Sequence, residues 1–241
     1  MLSLKKIMAM AIIATFLAAI PLAVSISYQA SASVTYSIEV DDYYAKPGGT
    51  PGGGKPSGGN KPPSGYSLTG YKWATLGLTL VVNPTDSELP ESFVLSTVSA
   101  SSEVWDSSTG AELVSTYEVD YTASLDGETA DGINEVVFGN LGDNRIIAQC
   151  TYWYNPWTRE LLDFDIVFNT QFTWGDATSN PSLMDLQSIA THELGHGFGL
   201  ADLYQRKNSE LTMYGYAGIG ETKKRSLESG DVAGIQALYG S

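Results

Sequence analysis

His192-Glu193-Leu194-Gly195-His196-Gly197-Phe198-Gly199-Leu200-Ala201-Asp202 is the stretch on which the reading of this 241-residue chain turns. The two histidines are four residues apart, so on a helix both imidazoles leave the same face one turn apart. Ring nitrogens placed that way reach a single tetrahedral ion at about 2.0–2.1 Å. Glu193 falls on the adjoining face, where it takes a proton from water rather than ligating. Leu186, Ala190 and Leu194 recur every four residues on the opposite side and are expected to anchor the helix in the core. Two His and a Glu leave a catalytic zinc site incomplete, since such sites usually hold three protein ligands. Gly199 is able to adopt a positive φ, end the helix and turn the chain back, which makes Asp202 the expected third ligand. No other histidine competes, because the chain has only these two. The plainer readings are a satisfied histidine pair in the core, Asp202 as a cap or surface carboxylate, and a structural zinc. Structural zinc usually takes four Cys and His ligands, and neither a further His nor a nearby Cys is available.

Working outward, Ser182 stands three residues before Asp185, a capping-box-like pattern expected to open the motif helix, which then runs to about Phe198. Upstream, residues 76–82 are rich in Leu, Val and Thr and stop at Asn83-Pro84, as a strand does. Residues 87–107 space Leu95, Val98, Val104 and Trp105 as a helix packed on a sheet would. Residues 133–138, 145–154 and 161–169 are strand-like, the last two joined by a hairpin at Asn155-Pro156-Trp157-Thr158-Arg159. A final helix is expected over residues 231–239, with Val232, Ile235 and Leu238 along one side. The order indicates an α+β fold: a mixed sheet, one helix behind it and one beneath a cleft.

The N-terminal third reads differently. Lys5 and Lys6 precede an apolar run over residues 7–24, and Ala30-Ser31-Ala32 offers a small-x-small cleavage pattern, so residues 1–32 are expected to be an export signal. A run of that length is near the lower limit for a membrane span, and an uncleaved anchor is the competing reading. Residues 34–44 are a short, acidic, strand-like piece. Residues 46–65 read KPGGTPGGGKPSGGNKPPSG; without a large apolar side chain they bury no surface and are expected to form a linker. Residues 33–65 are therefore assigned to segment and linker, and 66–241 to one domain of about 176 residues.

Composition narrows the function. Apolar residues make up 43% of the chain, enough for a core, and the net charge is −14. With no basic stripe to neutralise phosphates, nucleic acid is not an expected partner. Cys150 is the only cysteine, so no intrachain disulfide forms, and it is read as a small apolar residue inside a strand.

With these residues quoted, the chain resembles the metzincin metalloproteases, in the variant whose motif HExxHxxGxxD ends in Asp. Thr212-Met213-Tyr214-Gly215-Tyr216 is similar to the family's methionine turn, in which Met213 would be a packing floor beneath the metal. Within metzincins the chain is most similar to the matrixins. Residues 231–240, Asp-Val-Ala-Gly-Ile-Gln-Ala-Leu-Tyr-Gly, resemble their closing helix, and residues 163–174, ending in Trp174, resemble the strand before their zinc helix. The resemblance spans about 66–241 and implies a twisted mixed sheet with a backing helix, an active-site helix and a C-terminal helix. It also implies a zinc endopeptidase acting on extracellular proteins or peptides, secreted or at the cell surface, and monomeric. His192, His196 and Asp202 would hold one catalytic Zn2+, and Glu193 would be the general base. An extended substrate would pair with an edge strand near residues 146–152.

The chain also departs from the matrixin pattern. The pro-segment cysteine that caps the zinc is absent, and residues 33–65 are too short and Gly-rich for a folded prodomain. The second, structural zinc of that family needs three histidines that this chain lacks. Asp126, Glu128 and Asp131 are candidate Ca2+ ligands, although solvated loop acids are the preferred reading. Gly215 stands where astacin-like relatives place a zinc-reaching tyrosine. Two rival functions remain at this stage: a non-catalytic cell-surface binding module on a matrixin-like fold, and a metal-storage or structural zinc protein. A membrane enters only if the N-terminal segment stays uncleaved.

Overall fold

The computed structural model describes residues 36–46, 65–125 and 130–241. A sheet of seven strands dominates it. In chain order these are β1 (Ser37–Ala45), β2 (Leu78–Val82), β3 (Val114–Val119), β4 (Asn134–Gly139), β5 (Ile146–Asn155) and β6 (Glu160–Asn169), with β9 (Tyr216–Ala217) at one edge. The spatial order is β3-β2-β4-β6-β5-β1-β9. From β3 to β6 the neighbours run parallel; β5 is antiparallel to both β6 and β1. Two short strands, β7 (Trp174–Gly175) and β8 (Met184–Asp185), pair apart from the main sheet.

The central strands β4 and β6 carry continuous buried runs, including Val136, Val137, Phe138, Phe164, Ile166, Val167 and Phe168. Continuous apolar runs of this kind mark parallel strands covered on both faces. The β5–β6 hairpin forms as expected. Asn155 Oδ1 accepts the Trp157 and Thr158 amides at 2.9 and 3.1 Å, and Arg159 takes φ 66° to close the turn.

Helix α1 (Glu91–Asp106) buries Val94, Val98 and Trp105. It begins four residues later than the sequence pattern indicates. Asp86 and Glu88 take positive φ and Pro90 is the N-cap, and a residue before proline is steered away from helical backbone. At its far end Asp106 Oδ1 accepts the Leu113 amide at 2.6 Å, and burial pushes its carboxyl up to about 6. A raised acid favours the native state when protonated, so stability from this group is present below about pH 4 and lost as pH rises through 6. Asp106→Asn keeps an acceptor without the charge. After discounting for partial exposure, it should melt higher than the parent at pH 7, by about 1 kcal/mol or roughly 2–4 °C. The two melting curves should converge at pH 4.

Helix α2 (Leu186–Gly197) carries the motif and is buried nearly all round. Its cap corrects the expected one: the N-cap is Asp185, not Ser182. Asp185 Oδ2 accepts the Ser188 amide at 2.9 Å and its Oδ1 accepts the Ala177 amide at 3.0 Å. Arg225 Nε adds a bond to the same carboxylate at 2.8 Å, and Arg225 also pairs with Asp176 at 2.6 Å. Residues 184–185 are occupied by β8, so the helix cannot start earlier. Leu186, Ala190 and Leu194 are buried, as their spacing indicates. Trp105 fixes α1 to α2 by donating from Nε1 to the Thr191 carbonyl at 2.8 Å. Helix α3 (Ser229–Tyr239) closes the chain.

Strand β3 has no counterpart in the sequence reading. The strand expected within residues 34–44 is β1, Ser37–Ala45, but it lies in the main sheet rather than outside the domain assigned to 66–241, paired with β5 from Ser37↔Tyr154 to Tyr44↔Ile146. It thus sits on the very edge, residues 146–152, expected to receive substrate. The signal expected at 1–32, and most of the linker, lie outside the described residues.

Candidate active site

The helix delivers two histidines and the turn after it delivers the carboxylate. Nε2 of His192 and Nε2 of His196 are 3.2 Å apart, and Asp202 Oδ1 lies 3.4 Å from the first and 3.8 Å from the second. A tetrahedral ion bound at about 2.0–2.1 Å spaces its ligands about 3.3 Å apart, so the set matches one zinc. Among the described residues these three form the cluster able to hold a metal. Asp202 Oδ1 is buried with no hydrogen-bond partner among the described residues. Its other oxygen accepts from Tyr204 Oη at 2.7 Å. One oxygen is thus held and the other left open, which suits a ligand.

The outer nitrogens of both histidines are spoken for by backbone. Nδ1 of His192 bonds the Thr212 carbonyl at 2.7 Å, and Nδ1 of His196 bonds the Leu200 carbonyl at 3.0 Å. As Nδ1–H donors the rings turn the Nε2 lone pairs toward Asp202. Burial, with His196 and Lys224 nearby, holds the His192 pKa well below its usual value. It stays the neutral imidazole that ligates metal.

Glu193 is fully buried, and neither of its oxygens has a hydrogen-bond partner among the described residues. Burial first, then the carboxylates of Asp202 and Asp41, push its pKa well above the usual range. An orphaned carboxylate beside the ligand cluster is costly to keep, and it makes a strong proton acceptor.

The floor is built by residues 211–231. A Cβ on Gly195 would collide with the Sδ of Met213 and come within 2.9 Å of Trp105, so only glycine lets the helix lie on that methionine. Asp231, in the first turn of α3, accepts the Thr212 and Met213 amides at 2.9 and 3.1 Å. The Lys224 ammonium, fully buried, donates to the Thr212 carbonyl at 3.2 Å and to the Tyr214 carbonyl; burial pushes its pKa down to about 7. Asp231 and Lys224 escaped the sequence reading, because their roles depend on backbone groups far along the chain. Tyr204, two residues past Asp202, carried no signal of its own.

Gly199 takes φ 100°, and its amide caps the His196 carbonyl at 2.8 Å. An added Cβ would run into the Tyr71 carbonyl oxygen. Gly199→Ala should therefore cost about 1 kcal/mol for the backbone and roughly 1–3 kcal/mol for the clash. Urea unfolding measures it; a loss under about 0.5 kcal/mol would show the turn to be pliable.

Cys150 is buried in β5 with its thiol pKa pushed far up by burial, an inert core residue. Asp131 Oδ1 accepts the Ile133 amide at 2.8 Å; Asp126 and Glu128 lie outside the described residues. Strands β4 and β5 are joined by the short stretch 140–145 alone.

A mixed sheet over a helix bearing HExxH, a glycine turn leading to Asp202 and a methionine floor define a metzincin-type domain. The chain belongs to the matrixin family, whose profile matches residues 72–240, a family of zinc-dependent peptidases. It is similar to neutrophil collagenase of Homo sapiens, at 29% identity over 196 residues, covering 77% of this chain and 38% of that protein. It is similar also to stromelysin-1 of Equus caballus, 27% identical over 170 residues, covering 70% and 33%. Metalloendoproteinase 1 of Glycine max is 41% identical over 69 residues, covering 27% and 21%. The chain thus spans less than two fifths of the length of these relatives.

Proposed function

We propose that this chain is a zinc endopeptidase that hydrolyses peptide bonds of extracellular proteins or peptides, with His192, His196 and Asp202 as metal ligands and Glu193 as general base. The observation that carries the reading is the orphaned Glu193 carboxylate, buried beside three ligand atoms at zinc spacing. Zinc bound there would supply Lewis acidity toward a peptide carbonyl and toward water. Glu193 takes a proton as the water oxygen bonds to the carbonyl carbon. It returns that proton to the amide nitrogen as the carbon–nitrogen bond breaks. Thr212 and Leu200 hold the imidazoles in the ligating tautomer, and Met213 supports the helix beneath them. Export, read from residues 1–32, belongs to the same proposal, as does action as a monomer.

The experiment is metal analysis of the purified chain together with cleavage of a peptide library. One zinc per chain, with internal rather than terminal bonds cut, is the expected result. Zinc binding without any cleavage would favour the non-catalytic binding module.

A further inference from the structure

Strand β1 sits at the open edge of β5. Its burial is unlike that of a core strand. Ile38 and Val40 point large apolar side chains at solvent, 42% and 48% exposed, and of the nine residues only Tyr43 is fully buried. A strand held by a backbone ladder and one side chain in a pocket is how sheet edges capture extended peptides. The ladder is two-sided: β1 runs antiparallel to β5 and parallel to β9, where Tyr44 and Ala45 pair with Tyr216 and Ala217. The Lys46 amide donates to the Ala217 carbonyl at 2.9 Å.

The pocket adjoins the ligand cluster. The Tyr43 ring stacks on His192 with centroids 3.7 Å apart and planes at 11°, and the Lys224 ammonium lies 4.9 Å from the ring centre. Two residues earlier, Asp41 Oδ2 is 3.3 Å from Nδ1 of His196. Residues 41–43 therefore pass across both histidines. Asp41 approaches from the side of the outer nitrogen, so it is not one of the clustered ligand atoms. The fit is also imperfect: the Tyr43 hydroxyl is buried with no hydrogen-bond partner among the described residues. An unpaired buried hydroxyl weakens the seat, as suits an occupant that must leave.

We infer that β1 is a resident substrate mimic. It fills the cleft along the track of an extended peptide, blocks access while seated, and marks the pocket beside His192 as one for a tyrosine side chain. Covalent attachment makes the occupancy intramolecular, so modest intrinsic affinity suffices. The inference rests on the peptidase reading above for its consequence, and on the cleft geometry alone for the occupancy.

The test uses the full zinc-loaded chain. Tyr43→Ala removes the anchor. The double change Val40→Pro and Asp41→Pro removes two consecutive strand N–H groups, one of which must face β5. Circular dichroism checks that each variant folds, and either suffices if the other does not. Two readouts follow: hydrolysis of casein, and binding of a fluorescein-labelled peptide of residues 36–46. A released variant should cleave casein at least about tenfold faster than the parent and bind the labelled peptide, which the parent excludes. The same peptide with Ala at the Tyr43 position should bind about tenfold more weakly or worse. Casein cleavage that is measurable and equal in parent and variants, or a labelled peptide that binds neither folded variant, overturns the inference. Peptide binding as expected with no casein cleavage by any protein leaves the mimic in place and sinks the peptidase reading instead.

Discussion

Glu193→Gln should retain zinc and lose peptide hydrolysis by roughly 10²–10⁴-fold, the range typical when a general base is removed. The side chain sits fully buried beside the cluster without touching it as a ligand. Gln has the same shape, so the helix should pack as before. Glu carries a burial cost that Gln does not, so the variant should also melt no lower than the parent. Zinc content and melting temperature are the controls, and turnover is the readout. A rate loss under about tenfold at equal zinc content would remove Glu193 from the reaction and leave the proton's acceptor to be sought elsewhere in the cleft.

The second large effect belongs to Asp202. Asp202→Ala takes away the one carboxylate of the proposed ligand set and the acceptor of the Tyr204 hydroxyl. At micromolar zinc the variant should lose most of its metal. In the parent, free zinc at 100 times Kd should add about 2.7 kcal/mol, or roughly 5–10 °C in Tm; in the variant the same zinc should shift the melt little. Asp202→His should keep zinc if the longer side chain fits. Exchanging a carboxylate for a neutral imidazole raises the formal charge of the site, so the acid limb of the pH–rate profile should move to lower pH. An Ala variant that binds zinc as tightly as the parent would exclude Asp202 as a ligand.

The arrangement of the candidate site was legible in the sequence where it is local. His192, Glu193 and His196 need only a helix, and Asp202 needs only the glycine that ends it. The strands of the sheet centre were legible too, because β4 and β6 each carry an apolar run, Val136-Val137-Phe138 and Ile166-Val167-Phe168. Strand β3 was not: of its six residues, Val-Ser-Thr-Tyr-Glu-Val, only Val114 is fully buried, so it carries neither an apolar run nor a strict alternation to betray it. The start of α2 was misread because Asp185, taken as a box partner, is itself the cap. Placing β1 was beyond sequence reasoning. Its strand character is plain, but its partners lie some hundred residues away, and a glycine-rich stretch intervenes. Asp231 and Lys224 are hidden for the same reason: each serves backbone groups of the methionine turn across a gap in the chain.

The carbonyls of Thr212 and Leu200 that orient the two imidazoles have a bearing on heredity. Where a second-rank partner is an aspartate or asparagine, one nucleotide change can delete it. A peptide carbonyl belongs to every amino acid, so no point substitution at residue 212 or 200 removes the acceptor. What such a change can do is move the path of the chain. Variation that detunes this site should therefore accumulate at residues shaping that path, such as Gly199, Lys224 and Asp231, while positions 200 and 212 tolerate exchange among side chains that fit.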